Sequence, residues 1–423
     1  MAADRPDMVS NDSIDVAIIG AGIIGLACAQ KLIAAGRTVT LFDRAGIARE
    51  ASYANASAFA FSDILPLATS GVLRKTPRWL IEPLGPLSIP PAYAFQIAPW
   101  LIRFWRAGWP DRMQASIAAQ SALMRLAKTE MHALIVEAGV QQMVRSDGSL
   151  ELYESENELR ASEPGWSARE AENIAFEHVR GARLGELQPG LSAQFVAGTF
   201  VPGWETVTDP YDFACAIADH LKARGAIIKV EEIAAVAPAE TGVTLRLQTG
   251  EMIGANQGVI AAGAWSKALT AELGDPVPLE TERGYNTTLP PDAFDLRRQL
   301  IFGGHGFVIT PLATGIRIGG AVELGGLKLK PNYARAQAML DKAARFLPGL
   351  KTGGGRQWMG FRPSLPDSLP VIGPSRASER IVYAFGHGHL GLTQSAATGR
   401  LVADMLCGLE PAIDLKPYSP RRF

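Results

Sequence analysis

The chain of 423 residues is poor in cysteine. Cys28, Cys215 and Cys407 are odd in number and far apart. That excludes a disulfide framework and a thiolate metal site, and it fits a reducing compartment. Net charge is also nearly absent. Forty-one basic residues against 42 acidic ones leave −1, too little to hold a nucleic acid by field alone. No apolar run reaches the length of a membrane span. Residues 1–13 carry Asp4, Arg5, Asp7 and Asp12 without an apolar signal core, and read as a frayed terminus. Neither an internal repeat nor a low-complexity tract is present. What is left, 47% hydrophobic and 20% charged residues, describes a soluble globular protein, and the length calls for two or three domains.

The most informative stretch lies near the start. Ile14–Ile19 is an apolar run that reads as a buried parallel strand. It meets Gly20-x-Gly22-x-x-Gly25, and an Ala/Leu-rich helical pattern follows to Ala35, where Gly36 stops it. Arg37–Phe42 reads as a second strand, closed by Asp43. Strand, glycine turn, helix, strand and acid together form the dinucleotide-binding fingerprint in its required context. Gly20 permits the tight turn, Gly22 lets the backbone approach a pyrophosphate, and Gly25 lets helix and strand pack closely. The helix N-terminus offers N–H groups and positive dipole to the phosphates. Asp43 is placed to accept bonds from ribose hydroxyls.

Farther along, residues 44–57 are small and polar and read as a loop. Residues 63–110 are rich in proline and aromatics, among them Pro77, Trp79, Pro83, Trp100 and Trp105, and suggest short helices broken by proline. Trp100-Leu101-Ile102-Arg103-Phe104-Trp105-Arg106 fits either an interfacial membrane contact or a helix packed on its own domain. A long helix is expected over 114–139, a hairpin with an Asp-Gly turn over 144–153, and a charged helix over 156–172. A helix opens at Asp209-Pro210, strands follow at 226–230, 243–249 and 251–253, and another apolar strand spans 258–266. Hairpins return over 277–350, with a helix near 332–346. Finally Ile381–Phe385 runs into Gly386-His387-Gly388-His389-Leu390-Gly391-Leu392-Thr393 and a helix to Leu406. This second strand, glycine turn and helix again present N–H groups and a helix dipole to a polar ligand. The architecture expected is α/β: a discontinuous Rossmann-type domain over 12–72, 206–276 and 356–412, and an α+β substrate domain with an antiparallel sheet over 73–205 and 277–355.

Taken in order, these motifs resemble the FAD-dependent D-amino-acid oxidase superfamily, in particular the bacterial D-amino-acid dehydrogenases and their D-proline and D-hydroxyproline branch. The resemblance runs from about Asp15 to Phe423. It is carried by Gly20–Gly25 with Asp43, Ser52-Tyr53-Ala54-Asn55-Ala56, Val259–Trp265, Glu282-Arg283-Gly284-Tyr285, Gly360–Asp367 and Gly386–Thr393. It implies that Gly20, Ala21, Gly22, Ile24 and Gly25 hold the ADP part of FAD, with Asp43 and Arg44 at its ribose. Ser52, Asn55 and Ala56 would line the ribityl and isoalloxazine side, Val230 would meet the adenine by its backbone, and Ala262 and Gly263 the pyrophosphate region. Gly388, Leu390, Gly391, Leu392 and Thr393 would sit at the pyrimidine end of the flavin. Arg362 would pair with the substrate carboxylate in a bidentate fork. Two departures stand out. The acid at 43 is Asp where many flavoproteins carry Glu. The strand Gly306-Phe307-Val308 lacks the tyrosine that oxidase relatives place there, which leaves Tyr285 or Tyr53 as the second carboxylate ligand. No cysteine sits where covalent attachment is expected, so FAD is expected to be non-covalent.

The implied chemistry is hydride transfer from Cα to flavin, giving an imine, with electrons passing to a quinone or another acceptor in place of oxygen. His387 and His389 are the candidates to deprotonate the substrate ammonium, set against a purely hydrogen-bonding role. Arg283 is either a second cation near the carboxylate or a structural partner of Glu280 or Glu282. Alternatives with the same fold are a glycine, sarcosine or opine oxidase, and a flavin subunit of an electron-transfer complex. No metal and no nucleic acid are expected. The location expected is cytoplasmic, with peripheral contact to the inner membrane if the aromatic stretch is interfacial.

Overall fold

A computed structural model describes residues 14–69, 82 and 84–423. The terminus 1–13, together with Pro77, Trp79 and Pro83 and the expected domain limits at 12 and 72–73, lies outside the described residues.

Two large sheets organise the molecule. The first is built on the strand Ile14–Ile19, whose parallel neighbours are Val39–Phe42 and Met252–Ile260. Ile227–Lys229 extends it on one side, and Ile381–Phe385 pairs parallel with residues 258–260 on the other. Strands from three distant stretches therefore make one parallel core, and the domain is discontinuous as expected. Parallel strands need crossovers. Ile23–Ala34 supplies the first, and its apolar face packs with that of Gly391–Leu406. Burial on both faces explains why Val16, Ala17 and Ile18 form an unbroken apolar run with no exposed area.

The second sheet is mostly antiparallel. Arg356–Ser364 forms one edge, and Glu280–Leu289 lies between it and Gly315–Leu324. Phe307–Leu312, Gln299–Phe302, Ser149–Tyr153, Ala197–Val201 and Glu177–Arg180 continue it. Helix Ala334–Phe346 covers one face through Ala336, Met339, Leu340 and Ala343.

Several local expectations change. Val144–Arg145 and Ser149–Tyr153 do not form a hairpin. The first pairs with Glu205–Val207 in a small separate sheet, the second with the large antiparallel sheet. The turn is real, with Gly148 at φ +77°, but it passes the chain between sheets. Met252–Ile260 is one strand where two were expected. Its first half forms the hairpin with Val243–Leu247, its second half lies in the parallel core. Pro99 sits inside the helix Ala94–Ala107 without ending it. Arg356–Ser364 belongs to the antiparallel sheet, although 356–412 was expected in the Rossmann-type domain.

Candidate active site

A cavity of ≈ 750 Å³ lies between the two sheets. Its wall includes the glycine turn, the loop 49–56, the end of Met252–Ile260, the faces of Glu280–Leu289 and Arg356–Ser364, and the turn 387–392.

The first turn is built by close approach. Gly20 has φ +111°, and a Cβ there would lie 2.4 Å from the Ala261 carbonyl oxygen. A Cβ on Gly25 would lie 1.9 Å from the carbonyl oxygen of Gly20. Helix Ile23–Ala34 has no side-chain cap from its own N-cap residue, Gly22, and no acid in its first turn, and its N-terminus faces the cavity. Among the described residues, its first-turn Ile23 N–H is taken by Ser52 Oγ at 3.0 Å. Asp43 does more than await a ligand. Its Oδ2 accepts the Ala21 N–H at 2.8 Å, and its Oδ1 accepts those of Ala45 and Gly46 at 2.9 and 3.1 Å. Arg44 stacks on the Trp265 ring, its guanidinium carbon 3.6 Å from the centroid, and pairs with Glu50.

Gly20, Gly22, Ile24, Asp43, Arg44, Ser52, Asn55, Ala56, Ala262, Gly263, Gly388, Leu390, Gly391 and Leu392 all reach the cavity. Ala21, Gly25 and Thr393 shape it from behind. Thr393 is buried and ties residues 58–60 down: its Oγ1 accepts the Ala60 N–H at 3.0 Å and donates to the Ala58 carbonyl at 3.2 Å. Val230, expected to meet the adenine by its backbone, is 67% exposed and immediately precedes the wall residues Glu231–Ala234. The strand Ile227–Lys229 ends just before it, and the chain turns Val230 outward.

Helix Gly391–Leu406 also begins at the cavity with neither a side-chain cap nor an acid in its first turn. Two helix N-termini therefore open on one space, an arrangement that fits a dinucleotide carrying negative charge at two places.

The two histidines separate. His387 is 3% exposed and hydrogen-bonded through Nε2 to Thr398 Oγ1 at 2.9 Å. Burial pushes its imidazole from 6.5 to about 3, so it stays neutral and is too weak a base for an ammonium. That corrects the expectation of a catalytic role. His389 is on the wall and partly exposed, with Nε2 3.1 Å from Asp63 Oδ2. Asp63 also faces Arg169 of the helix Glu156–Ala171 at 3.5 Å.

Arg362 stands on the cavity wall in the second sheet. Its Nη1 donates to the Ala321 carbonyl at 3.2 Å, and no ion pair among the described residues includes it. Desolvation lowers its pKa from the ordinary arginine value, partly offset by the field of Glu282. The guanidinium lies over Gly284, where a Cβ would meet Nη2 at 2.4 Å. A cation partly withdrawn from water without a carboxylate partner is costly unless an anion completes it.

Arg283 and Tyr285 are not second ligands of that anion. Along Glu280–Leu289 side chains alternate, and Gly284 and Asn286 face the cavity. Arg283 is fully buried behind, with Nη1 2.8 Å from Glu323 Oε2 and Nη2 donating to the Leu329 carbonyl at 2.6 Å. Its acid partner is thus Glu323, neither Glu280 nor Glu282. Tyr285 touches the cavity, but its hydroxyl donates to the same Glu323 Oε2 at 2.5 Å. Desolvation, chiefly, raises its pKa to about 12. Tyr53 packs between Tyr211 and Trp358, with centroids 5.1 and 6.1 Å away, and does not line the cavity.

Sequence reasoning missed Asn286, Gln299, Thr310 and Arg317, all on the wall. A signal existed for Arg317. It interrupts the apolar run Ile316-Arg317-Ile318 in a strand with almost no exposure.

The family described as FAD dependent oxidoreductase (DAO) matches residues 15–405. A D-amino-acid oxidase of Bradyrhizobium diazoefficiens is 36% identical over 419 residues, covering 96% of this chain and 98% of that protein. A D-amino acid dehydrogenase of Xanthobacter autotrophicus is 30% identical over 420 residues, covering 96% and 99%. Among solved structures, glycine oxidase from Geobacillus kaustophilus aligns with a TM-score of 0.76 at 22% identity, over 97% of this chain and 98% of that one, a likeness of fold.

Proposed function

Because the chain belongs to the family of FAD-dependent oxidoreductases, we propose that its cavity oxidises D-amino acids, with Arg362 holding the substrate carboxylate. The observation that carries this reading is the Arg362 guanidinium, half-buried, on the cavity wall and without an ion-pair partner among the described residues. Names of relatives support the D configuration. FAD, when bound, supplies the acceptor for the hydride that leaves Cα. The rest falls to the protein. Arg362 fixes the carboxylate and hence the direction of the Cα–H bond. His389, oriented by Asp63, takes one proton from the substrate ammonium. The freed nitrogen lone pair then expels hydride from Cα, and the product is an iminium, the protonated imine. Apolar walls at Ile301, Phe307 and Leu390 exclude water and receive an uncharged side chain. D-Proline and hydroxy-D-proline belong to that class.

The test is anaerobic bleaching of the bound flavin by a panel of D- and L-amino acids and glycine. Bleaching by apolar D-amino acids is expected. Bleaching by glycine or sarcosine alone would reassign the substrate, and no bleaching by any D-amino acid would reject the class.

We propose a quinone at a membrane surface as the electron acceptor. Supporting this, helix Ala94–Ala107 exposes Phe95 at 94%, Ile102 at 65% and Trp105 at 54%, and Trp109 beyond it is also exposed. No acid occurs in residues 84–110, whereas Arg103 and Arg106 do. Among the described residues no helix is long and apolar enough to cross a membrane. Sedimentation with anionic phospholipid vesicles, lost in Phe95→Ser/Trp105→Ser, is the expected result. Faster reoxidation by oxygen than by a soluble quinone would make the protein an oxidase.

A further inference from the structure

The loop 54–57 has no regular structure, yet its carbonyls are taken one after another from the far side. Asn286 Nδ2 donates to the Ala54 carbonyl at 2.7 Å and Arg317 Nη1 to that of Asn55 at 2.9 Å. Thr310 Oγ1 donates to the Ala56 carbonyl at 3.2 Å, with Gln299 Nε2 3.4 Å from the same oxygen. The Ser57 carbonyl accepts the Val207 N–H at 2.8 Å. The first three carbonyls thus point at four strands of the second sheet. A trans peptide sets its N–H opposite its C=O. The amides of Asn55 and Ala56 therefore point away from that sheet, and among the described residues neither has a protein acceptor. Both residues line the cavity. The next amide, Ser57 N–H, is satisfied by Asn55 Oδ1 at 2.8 Å. Asn286 is 5% exposed, also lines the cavity, and its Oδ1 has no donor.

Arg317 brings charge to this clamp. It is 6% exposed, and its nearest carboxylate oxygen, Asp209 Oδ2, is 3.9 Å away. Asp209 is already occupied: Oδ1 caps Tyr211 and Asp212, and Oδ2 accepts from Thr314. Arg317 is left to polarise the Asn55–Ala56 peptide, whose other end is the free Ala56 N–H.

We propose that Arg317, with Asn286 and Thr310, is a positioning residue for the cofactor: it turns the Asn55 and Ala56 amides into the cavity and strengthens them as donors to the acceptor atoms of bound FAD. This rests on the reading above that the loop 52–56 lies along FAD. A preorganised donor pair backed by a buried cation favours the form of the cofactor that carries more negative charge, which is the reduced one.

The test compares wild type with Arg317→Met and Arg317→Lys, reading FAD dissociation by fluorescence and the midpoint potential of the bound flavin by dye equilibration. In Arg317→Met, FAD binding should weaken about tenfold, in line with loss of one charge-assisted hydrogen bond. The potential should fall, and Arg317→Lys should restore part of it. A folded Arg317→Met with unchanged potential and FAD affinity would overturn the proposal. If that variant does not fold, Asn286→Ala and Thr310→Val replace it. A lower potential in either supports the clamp, and unchanged values in both overturn it. Wild-type protein that takes up no FAD would instead sink the reading on which the proposal rests, and the proposal with it.

Discussion

The glycine turn and the Arg362 wall face one another across the same cavity, yet they are assembled in opposite ways. The turn draws Gly20, Ala21, Gly22, Gly25 and Asp43 from a span of two dozen residues, and its key bond is local: Asp43 Oδ2 to the Ala21 N–H at 2.8 Å. The Arg362 site needs strands that are far apart in sequence. Gly284 clears space for the guanidinium, Ala321 offers the carbonyl, and Arg283, Tyr285 and Glu323 brace the back of the sheet. A cofactor cradle can be made from one contiguous segment because its ligand is bound by main chain. A side-chain site of this kind depends on which residues neighbouring strands bring to one face.

Substitutions in the two regions should therefore fail differently. The largest effect is expected at Gly25→Val, where the first side-chain carbon already meets the Gly20 carbonyl at 1.9 Å. Separating helix from strand should cost about 3 kcal/mol or more. Flavin absorbance per protein and the melting temperature should both collapse. A variant that keeps its flavin would show that close packing is not what builds the cradle.

Arg362→Met should spare the cradle and strike the substrate. Leaving a carboxylate without its partner costs about 2–5 kcal/mol. That is about thirtyfold to several thousandfold in kcat/KM, with FAD still bound. Kinetics like those of wild type would return Arg362 to a structural role.

Tyr285→Phe sharpens the contrast within the second sheet. The hydroxyl donates to Glu323 and accepts the Asn332 N–H at 3.1 Å, so its removal should destabilise the fold by about 1–3 kcal/mol. Denaturant melts should record that loss while KM stays put. A raised KM with unchanged stability would place the hydroxyl at the substrate after all.

The smallest effect near neutrality concerns His387. Its folded pKa is about 3 against an ordinary 6.5, so between those values the unfolded chain binds a proton that the folded chain does not. Stability from this group is intact above pH 6.5 and declines as pH falls toward 3, by at most about 1.4 kcal/mol per pH unit. His387→Gln should flatten that part of the acid limb in melts taken from pH 7 to 4. An unchanged slope would mean that other groups carry it.

Much of the first region was legible before any coordinates. The run Ile14–Ile19, the spacing of Gly20, Gly22 and Gly25, and Asp43 after a second strand specify hydrogen bonds and contacts that all close within one strand–helix–strand unit. The resemblance pointed to Arg362, which stands on the cavity wall. Misreadings arose where partners come from afar. The pair Val144–Arg145 and Ser149–Tyr153 has a hairpin's turn residues, but each half finds a better strand elsewhere. Arg283 and Tyr285 sit in the right motif on the wrong face, because a strand's two-residue period sends neighbours to opposite sides.

By itself, then, the sequence determined the dinucleotide cradle, the α/β class and the order of the motifs, since each depends on local period, turn chemistry and the size of glycine. Only the tertiary structure decided which charges stay unpaired. Arg283, Arg317 and Arg362 are alike in sequence, each an arginine within a strand of the second sheet. One is neutralised by Glu323, one is set against the Asn55 carbonyl of the loop, and one is left facing the cavity. The difference lies in cross-strand register and in which loop covers each face, and those are fixed by chain segments tens to hundreds of residues away.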